Sequence, residues 1–203
     1  IWHVGAQRQL GTEPDREVPG YAPSAIATGE REVPVEMSRQ DIDDCIAAFA
    51  AAAANAKACG FDGVEIHGAH GYLIDQFFWQ RSNRRSDEYG GGFDQRNRFA
   101  KDVVEAVRQA VGPDFIVVFR FSQWKIDDYE TKIAETPEQL ERFLKTLSDA
   151  GVDVFHCSTR RFWQPEFEGS ALNLAGWAKK LSGKPAITVG SIGLDDPSWA
   201  GAN

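Results

Sequence analysis

His67, His70 and Tyr72 fall within six residues of the run GVEIHGAHGY. Two neutral imidazoles, each donating one N–H, can cradle a carbonyl oxygen that gains negative charge. A phenol two residues beyond the second imidazole can serve the same space as a general acid. The same three side chains could equally form a satisfied polar corner, and the residues alone leave both readings open. Metal binding fits less well. The zinc helix motif spaces its histidines four apart around a glutamate, whereas HGAH spaces them three apart and offers no obvious third ligand. In a strand, Glu65 and His67 share one face and Val64 and Ile66 the other.

Arg120 stands in FIVVFRFS on the face of Val118 and Ser122. An arginine among apolar strand residues needs an anion or an internal partner. Glu65 is a candidate partner, and an anionic ligand held by the guanidinium fork is the alternative. In VGSIG, Gly190 and Ser191 are small residues between a strand and the next helix, suited to a phosphate group, although any tight turn there uses glycine. The loop STRRFWQPEFEG, residues 158–169, could cover a site or pack on its own Phe162 and Trp163. Lys125 lies just past a strand end, where a Schiff-base lysine would sit.

These residues need a scaffold, and the order of elements supplies one. IWHVG reads as a short strand, followed by an excursion punctuated by Pro14, Pro19, Pro23 and Pro34. Ser38, with Asp41 three residues on, caps an alanine-rich helix reaching Ala58. GFDGVEIHG is a strand, 72–79 a short helix, and 94–111 a helix stopped by Gly112-Pro113. FIVVFRFS, VDVFHCS and PAITVG are further strands. Helices 137–150, opened by Thr136-Pro137, and 171–181 lie between them, and another begins after Gly193. Strands that are nearly continuously apolar and alternate with helices indicate a parallel α/β fold. No GxGxxG turn is correctly placed for a doubly wound nucleotide site. Polar residues instead gather at successive strand ends: His67, Arg120, Ser122, His156, Ser158, Gly190 and Ser191. The expectation is a (β/α)8 TIM barrel, incomplete at about strands 3 to 7, in one domain spanning 1–203.

The bulk numbers exclude several classes. A formal charge of −8 without a basic stripe argues against a nucleic-acid binder. The longest apolar stretch, 45–58, is interrupted by Asn55 and Lys57, so no membrane partner is expected. Cys45, Cys59 and Cys157 are scattered and read as reduced thiols, which with the lack of a signal peptide points to the cytoplasm.

HGAHGYLIDQFF followed by NRRSDEYGGGFDQRNRF resembles the old yellow enzyme family of flavin oxidoreductases, and the resemblance extends along essentially the whole chain. It matches IWHVG to the third barrel strand, FRFS to the fifth, VDVFHCS to the sixth and ITVGSIG to the seventh. It implies an FMN-dependent ene-reductase that uses NADH or NADPH on α,β-unsaturated carbonyl or nitro compounds. His67 and His70 would hold the oxygen of the electron-poor alkene, Tyr72 would donate a proton to its α-carbon, and Trp2 would sit near the substrate. Arg120 would face the flavin, and Gly190 and Ser191 its phosphate.

The family pattern also has a Gln directly before the segment matching IWHVG, two earlier strands, and an eighth strand with Gly-Arg. These lie outside the 203 residues, so the segment alone is expected to bind FMN weakly and to leave sheet edges unpaired. GFDQR also replaces the commoner Ser-x-x-Asn-Arg. An amine dehydrogenase of the trimethylamine dehydrogenase group, a lysine Schiff-base lyase and a noncatalytic remnant are the alternatives. A homo-oligomer is compatible with the sequence.

Overall fold

Ser38 opens the first long helix, α1 (Arg39–Ala58), with a reciprocal pair of bonds. Its hydroxyl accepts from the Asp41 N–H, and the Asp41 carboxylate accepts from the Ser38 N–H at 2.8 Å. This is a computed structural model, and it describes residues 1–27 and 30–193. Before α1, the proline-rich excursion contributes two short paired strands, β1 (Tyr21–Ala22) and β2 (Val35–Glu36).

After α1 the chain alternates: β3 (Gly63–Gly68), α2 (Leu73–Phe78), α3 (Phe93–Arg96), α4 (Arg98–Val111), β4 (Ile116–Ser122) and α5 (Pro137–Ala150). β5 (Val154–Ser158), α6 (Leu174–Ser182) and β6 (Ala186–Val189) complete the order. Pro137 takes the first helical position of α5 as expected, behind a Thr136 hydroxyl that accepts from Gln139 N–H. The single helix expected over 94–111 is divided at Asn97. Its N–H donates to the Asp94 carbonyl three residues back, a tightened turn that ends α3 before α4 begins.

The sheet β3-β4-β5-β6 is parallel and its spatial order is the chain order. A doubly wound sheet would reverse that order at a switch point. Parallel strands added one after another in chain order are instead the arrangement from which a barrel is built. One face carries Val64, Ile66, Val117, Phe119, Phe121 and Phe155, all buried in one core with residues of α1, α4, α5 and α6. The opposite face carries Glu65, His67, Arg120 and His156. Alternation along each strand thus sorts apolar mass to the helices and polar groups to the other side.

IWHVG is not a strand. Ile1 does lie along β3, with its N–H donating to Glu65 O and its carbonyl accepting from His67 N–H at 3.0 Å. The ladder stops there because Val4 turns into the right-handed helical region and a 3-10 turn follows at Gly5–Gln7. The helix expected after Gly193 lies outside the described residues. No helix among the described residues is long and apolar enough to cross a membrane.

Candidate active site

Strand register builds the site's central row. His67 pairs with Arg120, and Arg120 with His156, at one level across β3, β4 and β5. Two residues below His67, Glu65 places one carboxylate oxygen 2.6 Å from His156 Nδ1 and the other 4.0 Å from the Arg120 guanidinium. The Glu65–Arg120 ion pair, one of the two readings of Arg120, is therefore only marginal, because His156 is the carboxylate's close partner. His156 was visible in the sequence as a strand-end polar residue without a role. Its partner lies 91 residues away, which local spacing does not encode.

Beyond β3 the chain turns so that His70 comes back over the strand end. His70 has φ 62° and Gly71 φ 74°, two left-handed residues in succession. Tyr72 then caps α2. The result is a tight aromatic group. The His67 ring centre lies 5.1 Å from that of His70 and 5.3 Å from that of Tyr72, while Trp2 meets Tyr72 edge-on at 5.0 Å. Trp2 remains more than half exposed. The other side of His70 is walled by Trp124, stacked at 4.6 Å, and its Nε2 lies 2.8 Å from Ser158 Oγ.

Electrostatics keep both imidazoles neutral. Burial, with the Arg120 guanidinium beside it, pushes His67 down to about 4. Burial, with His67 and Arg120 next in effect, pushes His70 down to about 4 as well. A neutral imidazole keeps one N–H to donate, as an oxygen cradle requires.

Two nitrogens on the polar face, His67 Nε2 and Arg120 Nε, are buried and have no hydrogen-bond partner among the described residues. Most buried polar atoms are satisfied, so two orphans on one face leave donor capacity that an external acceptor could use. Gly190 and Ser191 follow β6 with φ 138° and 59°. A side chain at Gly190 would run into the Thr159 carbonyl, and the Arg161 guanidinium lies 3.4 Å from Ser191 Oγ. The helix N-terminus expected to complete this turn lies outside the described residues.

Lys125 does not suit a Schiff base. Its amine is buried against Asp75 at 2.6 Å. The 158–169 loop packs Phe162 edge-on to Trp163, and its residues 158–161 and 164–166 line a cavity of about 170 Å³ shared with Trp124 and Tyr129. A larger surface cavity of about 610 Å³, near α2 and α3, contains none of the candidate residues.

The model of the NADH:flavin oxidoreductase / NADH oxidase family matches residues 1–200. The chain belongs to that family. It is 36% identical over 194 residues to an NADPH dehydrogenase of Bacillus cytotoxicus, covering 95% of this chain and 52% of that protein. It is 41% identical to an NADH oxidase of Thermoanaerobacter brockii over 95% of this chain and 30% of the oxidase.

Among solved structures, morphinone reductase in complex with tetrahydroNAD superposes with a TM-score of 0.77 at 26% identity. The match covers 93% of this chain and 54% of the reductase. An old yellow enzyme homologue from Zymomonas mobilis matches at 0.75 and 26%, covering 93% and 55%. The chain thus spans about half the length of the NADPH dehydrogenase and of both solved structures, and its parallel strands are those of an incomplete TIM barrel.

Members of such a family are named for FMN, and the residues present fit it. Arg120 would present an orphaned guanidinium nitrogen to an electron-rich ring edge, and the side-chain-free Gly190 beside Ser191, with the Arg161 guanidinium nearby, would suit a phosphate.

Proposed function

We propose that this chain carries the substrate-binding side of an FMN-dependent oxidoreductase that reduces the C=C bond of α,β-unsaturated carbonyl or nitro compounds with NADH or NADPH. The observation that carries the reading is the buried, unpartnered His67 Nε2 beside His70 and Tyr72. His67 and His70 hydrogen-bond the substrate oxygen and draw charge from its β-carbon. Kept neutral by burial, they donate without adding a permanent charge. Tyr72 delivers the proton to the α-carbon, and Trp2 closes the outer side of the same space. Arg120, Gly190 and Ser191 would hold FMN, which supplies hydride to the β-carbon when bound and reduced. The alkene thereby gains one hydride and one proton.

The test is Tyr72→Phe in the whole protein, with the two half-reactions followed separately. Reduction of flavin by NAD(P)H is expected to stay within about twofold, while reduction of a cyclic enone slows about a hundredfold, the usual weight of one general acid. Equal loss in both half-reactions removes the proton-donor role.

A further inference from the structure

Asp75 and Lys125 are the most deeply buried charges among the described residues, with side chains 0% and 1% exposed and Nζ 2.6 Å from Oδ1. Such a pair rarely stabilises a fold more than apolar residues of the same volume would, because each ion loses its hydration. Burial drives the carboxyl up and the amine down, and each opposes the other's shift. What the pair touches gives a reason to keep it. The second carboxylate oxygen of Asp75 accepts the Gly71 N–H at 2.6 Å. Lys125 also donates to the Gln123 carbonyl at 3.2 Å.

Gly71 is one half of the left-handed pair that returns His70 over β3, and His70, having a side chain, adopts that conformation at a cost of order 1 kcal/mol. Every main-chain polar group of the two residues is held. His70 N–H donates to Ser122 Oγ at 3.0 Å, and the His70 carbonyl accepts from Gln7 Nε2 at 3.0 Å. Gly71 N–H goes to Asp75, and the Gly71 carbonyl accepts from Gln76 Nε2 at 2.7 Å. Gln76 in turn accepts from Ala6 N–H, an approach open only because Gly5 has no side chain to strike its amide.

We propose that Asp75, held in place by Lys125, is a positioning residue that locks the His70-Gly71 backbone so that His70 and Tyr72 converge beside His67. Asparagine could still accept the Gly71 N–H, but its amide could not also neutralise Lys125. The inference rests on the substrate roles given above to His70 and Tyr72.

The test uses the whole flavin-loaded protein and 4-hydroxybenzaldehyde, a phenol whose oxygen imitates the charged substrate oxygen. Asp75→Asn and the double variant Asp75→Leu with Lys125→Met are both expected to bind it about tenfold more weakly, as displaced catalytic groups do. The double variant should melt within a few degrees of the parent, since an apolar pair can replace a buried ion pair. Parent-like phenol binding in the double variant overturns the proposal, and so does a loss that appears only where melting also falls.

Should both variants fail to fold, hydrogen exchange at the Gly71 amide of the parent decides. Protection comparable to the β3 core supports the lock, and exchange at an open-loop rate overturns it. A parent that does not bind the phenol refutes the substrate roles of the histidines instead, and the exchange result then judges the lock alone.

Discussion

Two neighbouring stretches, 67–72 and 83–96, contain the residues by which the chain is most readily placed in its family, yet they use polarity in opposite ways. In 83–96 the side chains are spent on the fold. The Asn83 amide bridges the Phe77 and Tyr89 carbonyls at 2.8 Å each. Arg85 grips the Pro23 and Met37 carbonyls and Asp87, tying the proline-rich excursion to the body. The Tyr89 hydroxyl donates to Asp102, and Arg96 reaches the Phe78 and Gly91 carbonyls. In the 70–71 turn it is the backbone that is satisfied, by side chains of other residues, while the buried His67 Nε2 beside the His70 and Tyr72 rings is left without a partner. A long, recognisable motif is thus no guide to where chemistry happens. Unpartnered donors gathered on one face are a better one, whereas single orphans such as Asn97 Nδ2, Ser148 Oγ and Trp177 Nε1 lie scattered through the fold.

Three experiments press on that contrast, from the largest expected effect to the smallest. Arg85→Ala removes a nearly buried guanidinium with several charge-assisted bonds and should lower unfolding free energy by about 3 kcal/mol in urea titrations. Phenol affinity of the folded fraction should stay within twofold, and a tenfold loss would erase the division of labour.

Acid should act on the other stretch. Free imidazole titrates near 6.5, while His67 and His70 are held near 4 in the fold. Between those values the unfolded chain binds protons that the folded chain does not, so stability falls as pH drops through this window. Replacing both by Gln should make that dependence shallower between pH 6.5 and 4, leaving the part due to His3, which burial also lowers, and an unchanged slope in urea midpoints would show that the imidazoles are not so held. The mildest change is Tyr89→Phe, which gives up one hydroxyl bond to Asp102 at 2.9 Å and should cost about 1 kcal/mol with phenol binding untouched.

Much of this was legible in the sequence because it is local. The Ser38–Asp41 cap, Pro137 at a helix start and the alternation that separates Ile66 from His67 all depend on neighbours within a few positions. The HGAHGY cluster was legible for the same reason. What local spacing hides is partnership across elements. Glu65 meets His156 and Lys125 meets Asp75 only once parallel register and packing are fixed. A charged residue inside LIDQFF, and another within FSQWKIDD, were the available hints. The Ile1–Gly5 strand failed for a related reason: residues of strand type lay beside β3, but Val4 took a helical conformation before a ladder could extend.

The level row of His67, Arg120 and His156 has a consequence for how such a site changes over time. Each strand contributes one member at a fixed height, so an insertion inside β4 would send Arg120 to the helix side and bring an apolar neighbour in. Insertions in the connections, including the 158–169 loop, leave that height untouched. Selection can therefore redraw the rim freely while the row behaves like type locked in a printer's frame.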